Sequence, residues 1–475
     1  MRTALAATLA LATVLGAGTS AAQGRPDIDP ARLPAAAAPA PPEPTEQRNL
    51  CTPTAPTVDD THAADTHATD PHRLDVDAAW QFTRGAGQTV AVIDTGVAHH
   101  SRLPGLIAGG DYVGSGDGTD DCDAHGTLVA GIIAAQPSRT GGFTGVAPDA
   151  RILSLRQSSN AWQVAGRSAQ QRPEDVADGY GDVDTMAAAV RFAADHGASV
   201  INISEVACST VAMNDAALGA AVQYAAVVRD VVVVAAAGNT DRCDTPNPAA
   251  DPLNPGADLW DGVRTVVSPG WYDDYVLTVG SVDASGAPSA FTVAGPWVDV
   301  AAPGEDIVSL DPRGTGLTAG TLDGDGAIVP IRGTSFAAPF VAGTAALIRA
   351  RFPHLSAAQV IARIEASAHA PAEGWNPIVG FGVVDPYAAL TAVDEPAPPT
   401  KQSIRAQSVA LPPAAAPDEP DHRARDLALA GTGAVAIVLL LGWAASRAGG
   451  RYAASRAASP SRIRSGPNSN SSPKS

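Results

Sequence analysis

Four short segments of this 475-residue chain carry side chains that together could run acyl transfer. VAVIDTGV ends a β-branched run on Asp94, and HGTLVAGIIAA opens an alanine-rich stretch with His125. VVVVAAAGN places Asn239 directly after Gly238, and GTSFAAPFVAG sets Ser335 just beyond Gly333. A serine hydroxyl is a poor nucleophile near neutral pH, so an imidazole has to take its proton during attack and return one to the leaving amine. His125 is the candidate for that work. A carboxylate at Asp94 would fix the imidazole tautomer and stabilise the imidazolium that forms. Ser335 at a helix start adds backbone N–H groups and the positive dipole end near a developing oxyanion, and the Asn239 amide adds a side-chain donor. Each segment alone has a plainer reading, since an Asp after a strand is commonly a turn residue and a His at a helix start a cap. All four together, in order and well spaced, outweigh it.

Each of these side chains sits where a strand ends or a helix begins, the edge at which open α/β sheets gather their ligands. Short β-branched runs predict the strands: TVAVID (89–94), RILSL (151–155), SVINIS (199–204), VVVVAAA (231–237) and YVLTVG (275–280), several apolar on both faces. Alanine-rich stretches at 125–135, 184–196, 214–229, 334–351 and 356–367 alternate with them as predicted helices. The result is an α/β sandwich around a mainly parallel sheet, occupying residues 81–393. Two stretches break the rhythm. Polar residues 156–183 exceed an ordinary connection and predict an exposed loop insertion, and Pro- and Asp-rich residues 241–270 predict a second. INISEVAC (201–208) offers Ser204 at an edge suited to pairing with an extended peptide. Its neighbour Glu205 has two readings, selection of a basic side chain or a solvated rim carboxylate.

The ends look like export and anchoring segments. Residues 1–22 combine Arg2, an apolar Ala/Leu/Val run and small Ser20-Ala21-Ala22, as a secretory signal peptide does. Residues 23–80 are rich in Ala, Pro, Asp and Thr and lack the apolar periodicity of a compact inhibitory prodomain. A Pro/Ala-rich linker (394–426) precedes 19 uncharged residues, LALAGTGAVAIVLLLGWAA (427–445), enough to cross a bilayer core with Trp443 near one interface. The tail 446–475 carries six Arg and Lys residues and no Asp or Glu, which places it in the cytoplasm and the domain outside. Removing that +6 from the formal net charge of −18 leaves −24 on residues 1–445, which argues against nucleic acid as a partner.

Four cysteines, Cys51, Cys122, Cys208 and Cys243, fit two disulfides in an exported protein, with no CxxC pair to suggest zinc. Of three possible connectivities, Cys208–Cys243 follows if SVINIS and VVVVAAA are neighbouring parallel strands whose carboxyl ends emerge together. Cys51 then joins Cys122 and drapes the N-terminal extension across the domain near the active-site face. His62, His67 and His72 recur every five residues in a polar stretch that reads as solvated rather than metal-binding. Asp111, Asp117, Asp120, Asp121 and Asp123 lack EF-hand spacing and read as a solvated acidic loop. Neither a metal nor another cofactor is expected.

The Asp94, His125 and Ser335 segments resemble the three catalytic motifs of the subtilisin family, in that family's chain order. Asn239 resembles its oxyanion-hole asparagine. The resemblance implies a subtilisin-like three-layer sandwich and a serine endopeptidase acting on protein or peptide substrates. The wider architecture is similar to that of the mycosins, membrane-anchored subtilisin-like proteases of actinobacterial type VII secretion systems. Its shared features are the signal segment, the extension bearing Cys51, Cys122 three residues before His125, the insertions, the linker and the terminal span. That resemblance implies a protease domain facing the cell-envelope space, limited processing of exported proteins and association with the secretion membrane complex. Two other roles stay open, a structural component of that complex and a general degradative surface protease.

Overall fold

The computed structural model describes residues 24–56, 74, 76–138, 142–166, 172–243, 245–248, 254, 257–314, 316–393, 401 and 422–453. The signal segment 1–22, the histidine repeat at 62–72, nearly all of the linker and the tail beyond 453 lie outside these residues. The chain divides into two units, Met1–Ala406 and Gln407–Ser475.

The first unit is built on seven parallel strands, here β1 Thr89–Asp94, β2 Leu106–Asp111, β3 Arg151–Arg156, β4 Val200–Ile203, β5 Val232–Ala236, β6 Val276–Val282 and β7 Val298–Pro303. Their order across the sheet is β7-β6-β5-β4-β1-β3-β2. Side chains alternate between two cores, as a period of two requires when both faces are covered. Val90, Val92, Val232 and Val234 join one cluster, while Ala91, Ile93, Val233 and Ala235 join the other. Helices α1 His125–Ala134, α4 Thr334–Arg351 and α5 Ala357–Ser367 pack on the first face, and α2 Val183–Asp195 and α3 Ala216–Gln223 on the second. α1 is buried along all but its first residue, which explains why it is apolar all round rather than striped. The amphipathic α2 and α5 each begin with a capping box, Asp182 with Thr185 and Ser356 with Gln359.

Strand order reverses at β1, which pairs with β3 on one side and β4 on the other. Its carboxyl end is therefore the switch point where such sheets open a crevice, and Asp94 is its last residue.

Five strands and five helices lie where the sequence predicts them, within a few residues. The run predicted as a helix over 214–229 is α3 followed by a π-helical turn, Tyr224–Val228. Strands β2 (LIAGGD) and β7 (VDVAAP) had no predicted counterpart. β2 is an edge strand whose glycines accompany a register shift between Ala108 and Gly110. β7 carries a buried Asp299 that accepts the Thr278 N–H at 2.6 Å and meets Lys401 Nζ at 2.5 Å.

The insertion at 156–183 is less exposed than its polarity predicts. Gln157, Ser158, Ser159, Val176 and Tyr180 are buried, and Trp162–Val164 forms an antiparallel pair with Thr45–Gln47 of the N-terminal extension. In the second insertion, Cys243, Trp260, Val263, Val266 and Val267 pack into the second core. The described residues of the extension before Thr57 are largely extended yet bound to the domain at several points. Arg191 donates to Pro34 O, Thr45 Oγ1 to Val113 O at 2.5 Å and Thr52 N to Cys122 O at 2.8 Å. Disulfides join Cys51 to Cys122 and Cys208 to Cys243, the latter linking the segments that follow the adjacent strands β4 and β5.

In the second unit one helix, Arg423–Ala453, contains a 25-residue candidate span, Arg423–Arg447, whose apolar 18-residue window has a mean hydropathy of 2.1 and is unburied. It is long and apolar enough to cross a membrane.

Candidate active site

Asp94 and His125 meet at the mouth of the crevice. His125 Nδ1 lies 2.7 Å from Asp94 Oδ1, a distance at which the ring N–H donates to the carboxylate. Asp94 Oδ1 also accepts the Thr95 N–H at 2.8 Å. Thr95 Oγ1 in turn accepts the Gly126 N–H at 2.9 Å and donates to Asp121 Oδ1 at 2.9 Å. Asp121 Oδ2 receives the Thr127 N–H at 2.8 Å and its hydroxyl at 2.6 Å, so one acidic side chain ties the strand end to the first turn of α1. Gly126 is required where it stands: a Cβ there would come 2.0 Å from Gly96 O.

Ser335 sits in the first turn of α4, after Gly333 with φ of 150°. A Cβ on Gly333 would lie 3.0 Å from Ser335 Oγ and 3.3 Å from Asn239 Nδ2, so the glycine leaves open a point flanked by the hydroxyl and the amide. The amide is oriented by its other end. Asn239 Oδ1 accepts from Thr334 N at 3.0 Å and from Thr334 Oγ1 at 3.1 Å, which turns the Nδ2 donors toward Ser335. Pro339 lies four residues into α4 from Ser335 and has no N–H to give the Ser335 carbonyl. The Ser204 hydroxyl donates to that carbonyl instead, at 2.7 Å, and itself accepts from Asn202 Nδ2 at 2.9 Å. His125, Ser335, Asn239, Glu205 and Arg242 line one open groove of about 310 Å³, with Thr52 of the extension at its edge.

Electrostatics in the groove favour a charged imidazole. Burial alone would lower the pKa of His125, but the Asp94 charge and hydrogen bond, helped by Glu205 and Asp121, outweigh it and raise the value to about 9. Burial raises the Glu205 carboxyl to about 7, with the His125 and Arg242 charges opposing. Burial likewise pushes Asp121 up to about 7 against its Thr127 bonds.

The structure thus brings His125, Ser335 and Asn239 to one groove, with the buried Asp94 bonded to His125 behind it. The acidic loop is not simply solvated, because Asp111, Asp121 and Asp123 fold inward: Asp111 accepts Val113 N at 2.7 Å, and Asp123 accepts Ser159 Oγ at 2.5 Å. Sequence reasoning did not find the supporting roles of Thr95, Asp121, Thr334 and Ser204. Only the short gaps Asp94-Thr95 and Thr334-Ser335 offered a signal for two of them.

The subtilase family (peptidase S8) matches residues 85–382. Mycosin-4 of Mycobacterium tuberculosis is 52% identical over 437 residues, 91% of this chain and 93% of that protein. The chain belongs to the mycosins, a branch of the subtilase family. Mycosin-1 of the same species is 47% identical over 420 residues, covering 88% and 92% of the two chains. The solved MycP3 protease of the type VII (ESX-3) secretion system superposes on this mycosin with a TM-score of 0.71 at 45% identity, covering 78% of this chain and 99% of that one. A chain of the intact ESX-5 inner membrane complex gives 0.72 at 44% identity, covering 90% and 99%. The parallel sheet and its two helical layers are those of a subtilisin-like serine endopeptidase.

Proposed function

We propose that Asp94, His125 and Ser335 form the catalytic triad of this mycosin and that Asn239 supplies the oxyanion hole. The observation that carries the reading is the 2.7 Å Asp94–His125 contact in the same groove as Ser335 and an Asn239 amide oriented by Thr334. Neutral His125 takes the Ser335 proton as Oγ attacks the scissile carbonyl. The imidazolium is then stabilised by Asp94 and returns the proton to the leaving amine. Asn239 Nδ2 and the N–H groups opening α4 receive the oxyanion.

The protein is made with a signal peptide at 1–22 and an extension at 23–80. A peptidase domain at 81–393, a linker at 394–426, a membrane helix at 427–445 and a cytoplasmic tail at 446–475 follow. The domain faces the extracytoplasmic side, where it trims exported proteins in a limited way alongside a type VII secretion complex. The ESX-5 complex match favours a second role as a structural component of such an assembly. Secreted N-termini compared between wild-type and Ser335→Ala cells test the processing role. New unprocessed N-termini in the variant support it, and an unchanged set with secretion intact favours the structural one.

A further inference from the structure

Glu205 has no part in the relay just described, yet it lies against the imidazole. It is the second residue beyond β4, its side chain is 12% exposed, and its Oε1 stands 3.6 Å from His125 Nδ1, the nitrogen that also meets Asp94. One oxygen from each carboxylate and one ring nitrogen fall within 4.8 Å of one another. The remaining charges come from several elements. Asp121 and Asp123 approach His125 from the loop before α1, and Phe336 of α4 places an uncharged ring 4.8 Å from the imidazole, centre to centre. Arg242, from the loop after β5, faces Glu205 while pairing with the exposed Asp178 at 3.1 Å. Arg156 faces Asp123. Asp94 and Glu205 therefore both approach the Nδ1 side of the ring, with the Asp121 and Asp123 charges nearby, and Arg242 is the counter-charge facing Glu205.

We propose that Glu205 is a positioning residue, a second carboxylate partner that together with Asp94 holds His125 in its charged form in the open groove. This rests on His125 being the general base. Attack by Ser335 needs the neutral ring, whereas the intermediate that follows needs the imidazolium. Glu205 therefore works in opposite directions on the two: it thins the population of active base at neutral pH and steadies the cation once the proton has moved. Removing its charge shifts the acidic limb of the rate profile to lower pH and lowers the alkaline plateau.

The test is the rate at which a fluorophosphonate labels the full-length protein in detergent, followed across pH. Wild-type labelling climbs about tenfold per pH unit to a plateau near the His125 value of about 9. Glu205→Gln moves that limb down by about one unit, the low end for losing an opposite charge within about 4–6 Å, and reduces the plateau. Glu205→Asp, which keeps the charge, stays nearer wild type. Arg242→Gln removes the opposing cation and moves the limb the other way, a second measurement that does not depend on the Glu205→Gln variant folding. Limbs that coincide with wild type in both Glu205→Gln and Arg242→Gln, at unchanged thermal midpoint, overturn the proposal. Labelling of His125→Ala or Ser335→Ala at the wild-type rate overturns the triad itself, independently of Glu205.

Discussion

At the scale of single residues, the chemistry places different demands on four side chains, and the expected losses differ accordingly. Replacing Ser335 or His125 by Ala lowers turnover by about 10⁶, and replacing Asp94 costs less, about 10⁴, the sizes known for subtilisin itself. Asn239→Ala removes one donor to the oxyanion and costs about 2.7–4 kcal/mol of barrier, again the subtilisin value. Turnover of a peptide ester by purified protein checks both, and near-normal hydrolysis by folded Ser335→Ala sinks the assignment. Ser204 belongs to stability as well as to the groove. Ser204→Ala leaves the Ser335 carbonyl without its 2.7 Å donor beside a proline that cannot replace it, which costs about 1–3 kcal/mol on denaturant unfolding. An unchanged midpoint refutes that account. The residues proposed as reactive were legible because each lies in a short run whose type and position announce it. Ser204 and Asp121 were not, since what they support, the Ser335 carbonyl and the Thr95 hydroxyl, is brought to them from segments 131 and 26 residues away.

At the scale of elements, the strands that could be read were those with β-branched runs long enough to show burial on both faces, β1 and β5 above all. β2 and β7 escaped because Gly109 and Gly110 in one and Asp299 and Pro303 in the other contradict strand propensity. Tertiary pairing decides them, with β3 holding one and β6 the other. Polar composition misled in the 156–183 insertion for a related reason. Its Gln157 and Ser159 are buried because Thr185, Asp182 and Asp123 receive their hydrogen bonds, and composition does not reveal partners. The extension is held by a bond between residues 71 apart, and closing so long a loop stabilises by about 2–4 kcal/mol. Cys51→Ser therefore lowers the thermal midpoint and speeds proteolysis within residues 24–56, with turnover retained because Asp94, His125 and Ser335 do not depend on the extension for their contacts. Limited proteolysis followed by mass spectrometry checks this. Equal cleavage rates in the variant and wild type mean that the Thr45–Gln47 pairing and the Thr52 bond to Cys122 suffice to hold the extension.

At the scale of the whole molecule, the open question is which side of a membrane holds the groove. The apolar stretch Arg423–Arg447 is unburied, and a 19-residue uncharged run at about 1.5 Å per residue spans a hydrocarbon core of about 30 Å. Orientation then depends on the basic residues close to each end, since acidic ones contribute little to insertion. On the carboxyl side Arg447, Arg451, Arg456, Arg462 and Arg464 fall within about 20 residues of the run, against Arg423 and Arg425 on the amino side. We propose that this imbalance keeps the tail in the cytoplasm and the peptidase domain outside, the side on which two disulfides also persist. Protease added to sealed spheroplasts therefore degrades the domain and spares an epitope placed after Ser475. Substituting the five tail arginines by Gln weakens the imbalance and lets a fraction of chains insert the other way, leaving their domains protected. Digestion of the epitope in sealed wild-type cells reverses the orientation, and a domain that resists protease until the membrane is broken leads to the same conclusion from the other end of the chain.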